Sequence, residues 1–152
     1  MIQIFALAFT SDDLIVTASV DRAVKVWNLD GECLKTLTGH TQWIRAVAIT
    51  SDDLIITGSR DHTAKVWNLD GECLQTLTGH TGYIGAMAIT SDNLIVTAST
   101  DGTAKVWNLD GKYLRTLAGH SEAIQAFVEQ WRHSFYHNVA HSDPRAPVRN
   151  EN

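Results

Sequence analysis

Histidine, serine and aspartate, the residue types used by nucleophilic hydrolases, recur in this sequence in two sets that stand 40 residues apart. The sets are His40, Ser59 and Asp61, and then His80, Ser99 and Asp101. A serine hydroxyl attacks a carbonyl when a histidine accepts its proton and an aspartate orients the ring. Because the whole set recurs and no glycine-rich nucleophile elbow is present, we favour a structural role in which these groups bond to one another inside the fold. A hydrolase is the alternative interpretation.

A second candidate for chemistry is a row of histidines near the end of the sequence. His133, His137 and His141 are four residues apart, and Glu129 stands four residues before them. A helix would bring these side chains along one face, as metal ligands can be. The outer histidines would then be roughly 12 Å apart by the helical rise, and a solvated polar face is the commoner reason for such a row. We therefore predict no metal site and no cofactor, with metal binding by these histidines as the alternative.

The elements that must position these residues follow from a period of 40 residues. Trp27, Trp67 and Trp107 keep this step, as do the Asp-Gly pairs that begin at 30, 70 and 110 and the Gly-His pairs that begin at 39, 79 and 119. A fixed period of this length is typical of repeat architectures. The period divides the sequence into three units, 1–40, 41–80 and 81–120.

Each unit has the pattern of a four-stranded antiparallel meander. In the second unit, β-rich runs at 43–49, 54–59, 63–69 and 73–77 alternate with clusters of turn-forming residues. The Asp-Gly pair at 70–71 predicts a two-residue hairpin between the third and fourth strands, because such a pair tolerates positive φ angles.

A 40-residue unit with Gly-His before its first strand and Trp-Asn at the end of its third resembles the blade of a WD-repeat (WD40) β-propeller. The resemblance covers residues 1–120, and the near-identical units are similar to bacterial multi-repeat WD proteins. It implies an all-β fold with three four-stranded antiparallel blades. It also implies that a hydrogen-bonded tetrad of His, Ser or Thr, Asp and Trp holds each blade. The matching residues are His40, Ser59, Asp61 and Trp67 in the second unit, and His80, Ser99, Asp101 and Trp107 in the third.

Three groups of equivalent positions differ sharply between the units. They are Gln3, Trp43 and Tyr83; Phe5, Arg45 and Gly85; and Val20, Arg60 and Thr100. The resemblance implies that these positions face the narrow top surface of a propeller, where peptides and partner proteins dock. Because Trp, Tyr and Arg dominate binding hot spots, we predict a partner-binding rim. Its candidate residues are Gln3, Phe5, Val20, Trp43, Arg45, Arg60, Tyr83 and Thr100. Drift at solvent-exposed blade edges is the alternative.

The repeat fails after residue 120. Trp131 and Pro147 stand where a fourth unit would carry its Ser-Asp turn and its tryptophan. Residues 121–141 are either the start of a degenerate fourth repeat or a C-terminal amphipathic helix, which the i, i+3, i+4, i+7 spacing of apolar residues favours. Residues 142–152, which include both prolines, are predicted to be a short disordered tail.

Composition limits the classes of partner. The 152 residues include 12 Lys and Arg against 17 Asp and Glu, for a net charge of −5, and the charges are interspersed. Nucleic acid is therefore not expected as a partner. No apolar run reaches the roughly 18 residues of a membrane span, and no signal peptide precedes the first strand, so we expect no membrane partner and a cytoplasmic protein.

The number of blades bears on the function. A propeller ring closes with roughly four to eight blades, so three blades predict either a fragment of a larger propeller or self-association that completes the ring. The predicted function is a non-catalytic scaffold that binds a protein or peptide, without enzymatic activity.

Overall fold

Short runs of apolar and β-branched residues, each ended by a polar turn cluster, fold into twelve strands. The computed structural model describes residues 4–118, and it contains no helix within that range. The first blade consists of β1 (Ile4–Phe9), β2 (Ile15–Ser19), β3 (Ala23–Trp27) and β4 (Cys33–Thr38). The second consists of β5 (Ile44–Ile49), β6 (Ile55–Ser59), β7 (Ala64–Trp67) and β8 (Cys73–Leu77). The third consists of β9 (Ile84–Ile89), β10 (Ile95–Ser99), β11 (Ala104–Trp107) and β12 (Tyr113–Leu117).

Each blade is a separate sheet in which every strand pairs with its neighbours along the chain. The order is β1-β2-β3-β4 in the first blade, and the other two repeat it. All pairs are antiparallel. The prediction of three four-stranded antiparallel sheets is therefore confirmed.

The hairpin between the third and fourth strands differs from the prediction of two residues. It spans the five residues 28–32 in the first blade, and of its Asp-Gly pair only Gly31 has a positive φ, of 90°. The side chain of Asn28 organises the loop, since its Oδ1 accepts hydrogen bonds from the backbone N–H groups of Asp30 and Glu32, both at 3.0 Å. Short polar side chains commonly replace backbone bonds in this way. The asparagine of the Trp-Asn pair is thus a turn residue, and the loop is longer than the glycine alone suggests.

The hydrophobic core lies between successive blades, which stack face to face. β5 packs against β1 and β2, and β9 packs in the same way against β5 and β6. Ile44 of β5 and its equivalent Ile84 of β9 are fully buried in these two interfaces. Burial of apolar area between blades is the main term that holds the arc together.

Side chains also join the blades at the turns between their first and second strands. Ser11 donates its backbone N–H and its hydroxyl to the carboxylate of Asp53, at 2.9 and 2.5 Å. These two hydrogen bonds hold the pKa of Asp53 below its usual value. One blade further on, Asn93 Nδ2 donates to Ser51 Oγ at 3.1 Å. Both types of contact link residues 42 positions apart, so each blade is linked to the next by the same turn.

The outward faces of the first and third blades expose apolar side chains that the second blade buries. Ile4 and Phe9 of β1 are 56% and 57% exposed, whereas the equivalent Ile44 is 0% exposed. On the other side, Leu117 of β12 is 48% exposed, whereas its equivalent Leu77 is 1% exposed. Within residues 4–118, the arc therefore presents an apolar face at each end.

Several sequence predictions fall outside this range. The fourth repeat start or amphipathic helix at 121–141, the tail at 142–152, Gln3 and the side chain of Phe5 lie beyond what the structure describes. In the part that it does describe, no helix is long and apolar enough to cross a membrane.

Candidate functional site

The antiparallel meanders collect two kinds of connection at one end of the arc, which we call the upper end. These are the loops between blades, 39–43 and 79–83, and the turns between second and third strands, 20–22, 60–63 and 100–103. Backbone hydrogen bonds join them, from Arg60 N to Trp43 O at 2.8 Å and from Thr100 N to Tyr83 O at 3.0 Å. The remaining turns lie at the opposite, lower end. The upper end thus brings His40 and Asp61 of the predicted tetrad close to Trp43 and Arg60 of the predicted rim.

A hydrogen-bonded chain runs beneath the upper end of the second blade. Nδ1 of His40 lies 2.8 Å from Oδ2 of Asp61, and Nε2 of the same ring lies 2.7 Å from Oγ1 of Thr57. The indole Nε1 of Trp67 donates to the same threonine oxygen at 2.9 Å. Every polar group in the chain has a partner if the Thr57 hydroxyl donates to His40 Nε2 and His40 Nδ1 donates to the aspartate. The inter-blade loop is thereby bonded to the body of the blade.

The hydroxyl in this chain belongs to Thr57, and the sequence-predicted tetrad named Ser59 in that role. Ser59 Oγ instead donates to the carbonyl of Gln42 at 3.2 Å and accepts the N–H of Asp61 at 3.0 Å. The reason lies in the strand register. Trp67 stands opposite Ile55, so its indole reaches diagonally to Thr57, whereas Ser59 is two residues further along β6. A threonine ten residues before each tryptophan was the signal that could have identified it.

The third blade repeats this arrangement with Thr97 in place of the predicted Ser99. His80 contacts Asp101 at 2.9 Å and Thr97 at 2.8 Å, and Trp107 donates to Thr97 at 3.0 Å. Ser99 Oγ accepts the N–H of Asp101.

In the first blade, the tryptophan and aspartate contacts occur without a histidine among residues 4–118. Trp27 still donates to Thr17 at 2.9 Å, while the carboxylate of Asp21 accepts the hydroxyl of Ser19 at 2.6 Å. Asp21 is exposed, whereas Asp61 and Asp101 are half-buried. The turn aspartate is thus less exposed in the two blades where it contacts a histidine.

The pKa shifts agree with a fixed network. Burial opposes ionisation of Asp61, but the hydrogen bonds from His40, Thr63 and Thr41 outweigh it and hold the pKa of that carboxyl well below its usual range. Asp101 behaves in the same way, with Thr103 as its first donor. Burial lowers the pKa of His80, although Asp101 opposes the shift. The aspartates are thus charged and His80 is neutral near pH 7.

The network has the connectivity of a catalytic triad without its accessibility. Threonine, histidine and aspartate are linked in the order that nucleophilic enzymes use. The hydroxyl-bearing residues of both networks are fully buried, namely Thr57, Ser59, Thr97 and Ser99. No substrate carbonyl can reach a hydroxyl enclosed in this way.

The glycine of the Gly-His pair leaves room for the tryptophan ring, because a Cβ on Gly39, whose φ is +156°, would lie 3.3 Å from Cη2 of Trp67.

Four of the predicted rim residues form one cluster at the upper end, and we call this cluster the rim. The guanidinium carbon of Arg60 lies 5.0 Å from the ring centroid of Trp43 and 5.2 Å from that of Tyr83. The guanidinium carbon of Arg45 lies 5.5 Å from the Tyr83 centroid. Contacts of this kind are cation–π interactions. The rim therefore crosses from the second blade to the third.

The other predicted rim residues have different places. Thr100 supports the rim from below, since its Oγ1 accepts the N–H of Tyr83 at 3.1 Å. Gly85 is buried in β9, and Val20 is half-buried at the turn of the first blade. Arg22 at that turn was missed by sequence comparison, and its Nη1 donates to the carbonyl of Thr41 at 3.5 Å.

Metal chemistry has no candidate within the range that the structure describes. Residues 4–118 contain no group of three or more His, Cys, Asp or Glu side chains that could hold a metal ion. The row His133, His137 and His141 lies outside that range.

Comparison with known proteins agrees with the geometry. A curated relative with a similar segment is the nuclear distribution protein PAC1 of Tuber melanosporum, 49% identical over 39 residues, which cover 26% of this chain and 9% of the relative. Another is the nuclear distribution protein nudF 2 of Aspergillus clavatus, 44% identical over 39 residues, with the same shares. The chain thus matches less than a tenth of the length of these relatives. The family model described as WD domain, G-beta repeat matches residues 3–28, 31–68 and 71–108. Since those segments cover most of the chain and each contains the first three strands of one blade, the chain belongs to the WD40 repeat family.

Proposed function

We propose that this chain is a non-catalytic interaction module whose rim binds a protein or peptide partner. The observation that carries the proposal is the joint placement of Trp43, Arg45, Arg60 and Tyr83 in one cluster at the upper end. Trp, Tyr and Arg are the residue types that contribute most to binding energy at protein interfaces. The cluster is also where the otherwise near-identical blades differ from one another.

The network beneath the rim explains how it would bind with little loss of entropy. His40 and Asp61 fix the loop before β5, and the backbone bond from Arg60 to Trp43 fixes the adjoining turn. Side chains that are held before binding lose less conformational freedom on binding. The mechanism is therefore the presentation of rigid side chains from strand ends, and it requires no chemical step.

The alternative of a hydrolase has less support. The hydroxyl groups next to His40 and His80 are buried, and each also accepts a hydrogen bond from an indole. A nucleophile must instead lie within reach of its substrate. Metal binding by the tail histidines stays a separate alternative, which a metal titration of the full chain would test.

Alanine variants of the rim test the proposal. The Trp43→Ala and Tyr83→Ala chains should keep nearly the melting temperature of the wild type and should capture less of the partner proteins that the immobilised wild type retains. Leu74→Ala is the matched control, because Leu74 is 44% exposed but lies on β8, away from the rim. Equal capture by all three variants and the wild type would contradict a binding role for the rim.

We further propose that a second copy of the chain covers the apolar ends of the arc. The face of β1 that carries Ile4 and Phe9 is equivalent to the face of β5 that packs on the first blade. Leu117 is equivalent to Leu37 and Leu77, which lie on the faces against which the next blade packs. The two ends are therefore complementary, so the third blade of one copy can receive the first blade of another. Two copies joined twice in this way would form a closed ring of six blades with a two-fold axis.

Light scattering on the full chain tests the self-association. A dimer or larger species should appear, and Phe9→Glu or Leu117→Glu should shift the mass toward the monomer, because each puts a charge into the joined faces. Leu29→Glu is the control, since Leu29 is 68% exposed on a turn outside those faces. A wild-type chain that is monomeric at all concentrations would refute the second-copy model.

A further inference from the structure

The two ends of the arc differ in charge. Most carboxylates of residues 4–118 lie in the turns of the lower end: Asp12, Asp13, Asp30, Glu32, Asp52, Asp53, Asp70, Glu72, Asp92 and Asp110. The upper end carries only Asp21, Asp61 and Asp101 in that range, and their carboxylates accept bonds from the blades themselves. Arg22, Arg45 and Arg60 also lie at the upper end. The upper end is thus balanced in charge, but the rim itself carries two arginines and no carboxylate, in a protein whose net charge is −5.

Arg60 is the arginine best placed to act on a ligand. It is exposed, and its guanidinium has neither a carboxylate within ion-pair distance nor a hydrogen-bond acceptor among residues 4–118. Its neighbour Asp61 cannot serve, because both carboxylate oxygens bond to His40, Thr41 and Thr63. The donors of this guanidinium are therefore available to another molecule.

The aromatic rings hold that guanidinium without using its donors. Arg60 lies over Trp43 and over Tyr83, at 5.0 and 5.2 Å from the ring centroids. Contact with a ring face involves the charge of the guanidinium and none of its N–H donors, whose fork matches the two oxygens of a carboxylate or phosphate. Arg45 lies over the same tyrosine, with its guanidinium carbon 5.5 Å from the ring centroid.

Resting on the proposed function, we propose that the rim recognises an acidic peptide segment, with Arg60 binding an oxyanion of that segment and Trp43 packing against its neighbouring side chain. The oxyanion is a carboxylate of Asp or Glu, or the phosphate ester of a modified serine or threonine. A nucleic acid fits less well, because its row of phosphates would extend beyond this small cluster toward an otherwise acidic molecule.

Peptide binding to the full chain tests the inference. The probes are fluorescein-labelled peptides of glycine and serine with a central run of glutamate, glutamine or phosphoserine, measured by fluorescence polarisation. The wild type should bind the glutamate peptide about tenfold more tightly than the glutamine peptide, and added salt should reduce the difference. Arg60→Ala should abolish the preference, and Arg60→Lys should keep part of it.

Arg115→Ala is the matched control, since it removes the same charge from β12, away from the rim. It should bind as the wild type does. A phosphoserine peptide that binds more tightly than the glutamate peptide, with the same dependence on Arg60, would assign the oxyanion to a phosphate ester. Binding of both the glutamate and the phosphoserine peptides no tighter than that of the glutamine peptide, equal loss in Arg60→Ala and Arg115→Ala, or Arg60-dependent binding of a labelled oligonucleotide alone would overturn the inference. If Trp43→Ala still weakens partner capture in that case, the proposed function stands and only the acidic preference fails.

Discussion

Replacement of Thr57 by valine tests the hydrogen-bonded chain at its central atom. Valine has nearly the shape of threonine, so the change opens no cavity and removes only the hydroxyl. That hydroxyl lies 2.7 Å from Nε2 of His40 and 2.9 Å from Nε1 of Trp67. The variant therefore leaves two buried polar atoms without their partner.

The expected loss follows from the cost of each unsatisfied group. A buried donor or acceptor without a partner costs about 1–3 kcal/mol, so the two such groups in Thr57→Val should lower the free energy of unfolding by about 2–6 kcal/mol. Thr17→Val is the matched control in the first blade, where the hydroxyl accepts the half-buried Trp27 indole at 2.9 Å and contacts no histidine among residues 4–118. It should cost about 1 kcal/mol.

Urea denaturation followed by tryptophan fluorescence and circular dichroism measures both losses under the same conditions. The slopes with urea should stay equal to that of the wild type, so that the midpoints report stability. Equal losses in Thr57→Val and Thr17→Val would refute the view that the threonine joins histidine and tryptophan. So would a loss in Ser59→Ala larger than that in Thr57→Val, because Ser59 would then be the central hydroxyl.

Three other perturbations test separate features. Burial holds the pKa of His80 below its usual value of about 6.5, so near and below that pH the unfolded chain binds more protons than the folded one. The urea midpoint should therefore fall as the pH is lowered from about 7 to 5. A midpoint that stays constant or rises as the pH is lowered would contradict the shift. Asn68→Asp should cost about 1–2 kcal/mol in thermal unfolding, because the Asn68 amide donates to the Glu72 carboxylate at 2.6 Å. Asn108→Asp should cost less, because the equivalent turn has Lys112 in place of the glutamate. Equal costs would rule out this charge effect. Trp67→Ala should lower the free energy of unfolding by about 3–5 kcal/mol through cavity formation, and Trp43→Ala should lower it much less, since Trp67 is 2% and Trp43 is 38% exposed. Similar losses in the two variants would mean that Trp67 does not belong to the core.

The period and composition of the sequence were sufficient to predict the architecture. Identical spacing of Trp27, Trp67 and Trp107 identified three equivalent units, and the turn clusters set the strand limits to within a few residues. The hairpin after each tryptophan was predicted too short because the conformation depends on a side chain, that of Asn28 and its equivalents, as well as on the glycine. Local sequence shows which residues tolerate a turn, and the bonds they form decide its length.

The site was predicted less completely because it depends on register and on contacts between units. Thr57 and Ser59 both recur in every unit, so repetition alone cannot distinguish them; the choice requires the diagonal reach of Trp67 across β6 and β7. Variation between units did point to Trp43, Arg60 and Tyr83. Their mutual contacts depend on how a loop of one blade meets a turn of its neighbour, and that information is absent from a single repeat.

The histidine network has a consequence for how such a chain grows by duplication. Its bonds span 21, 17 and 10 residues, all within one 40-residue segment that runs from one Gly-His pair to the next. Unequal recombination that inserts or deletes one such segment therefore carries a complete network with it and breaks none elsewhere. What a new copy needs from its neighbours is an apolar face on each side and the turn that bonds successive blades, and every copy supplies both. Gene rearrangement can thus change the number of blades in one step, while each blade keeps the bonds that fold it.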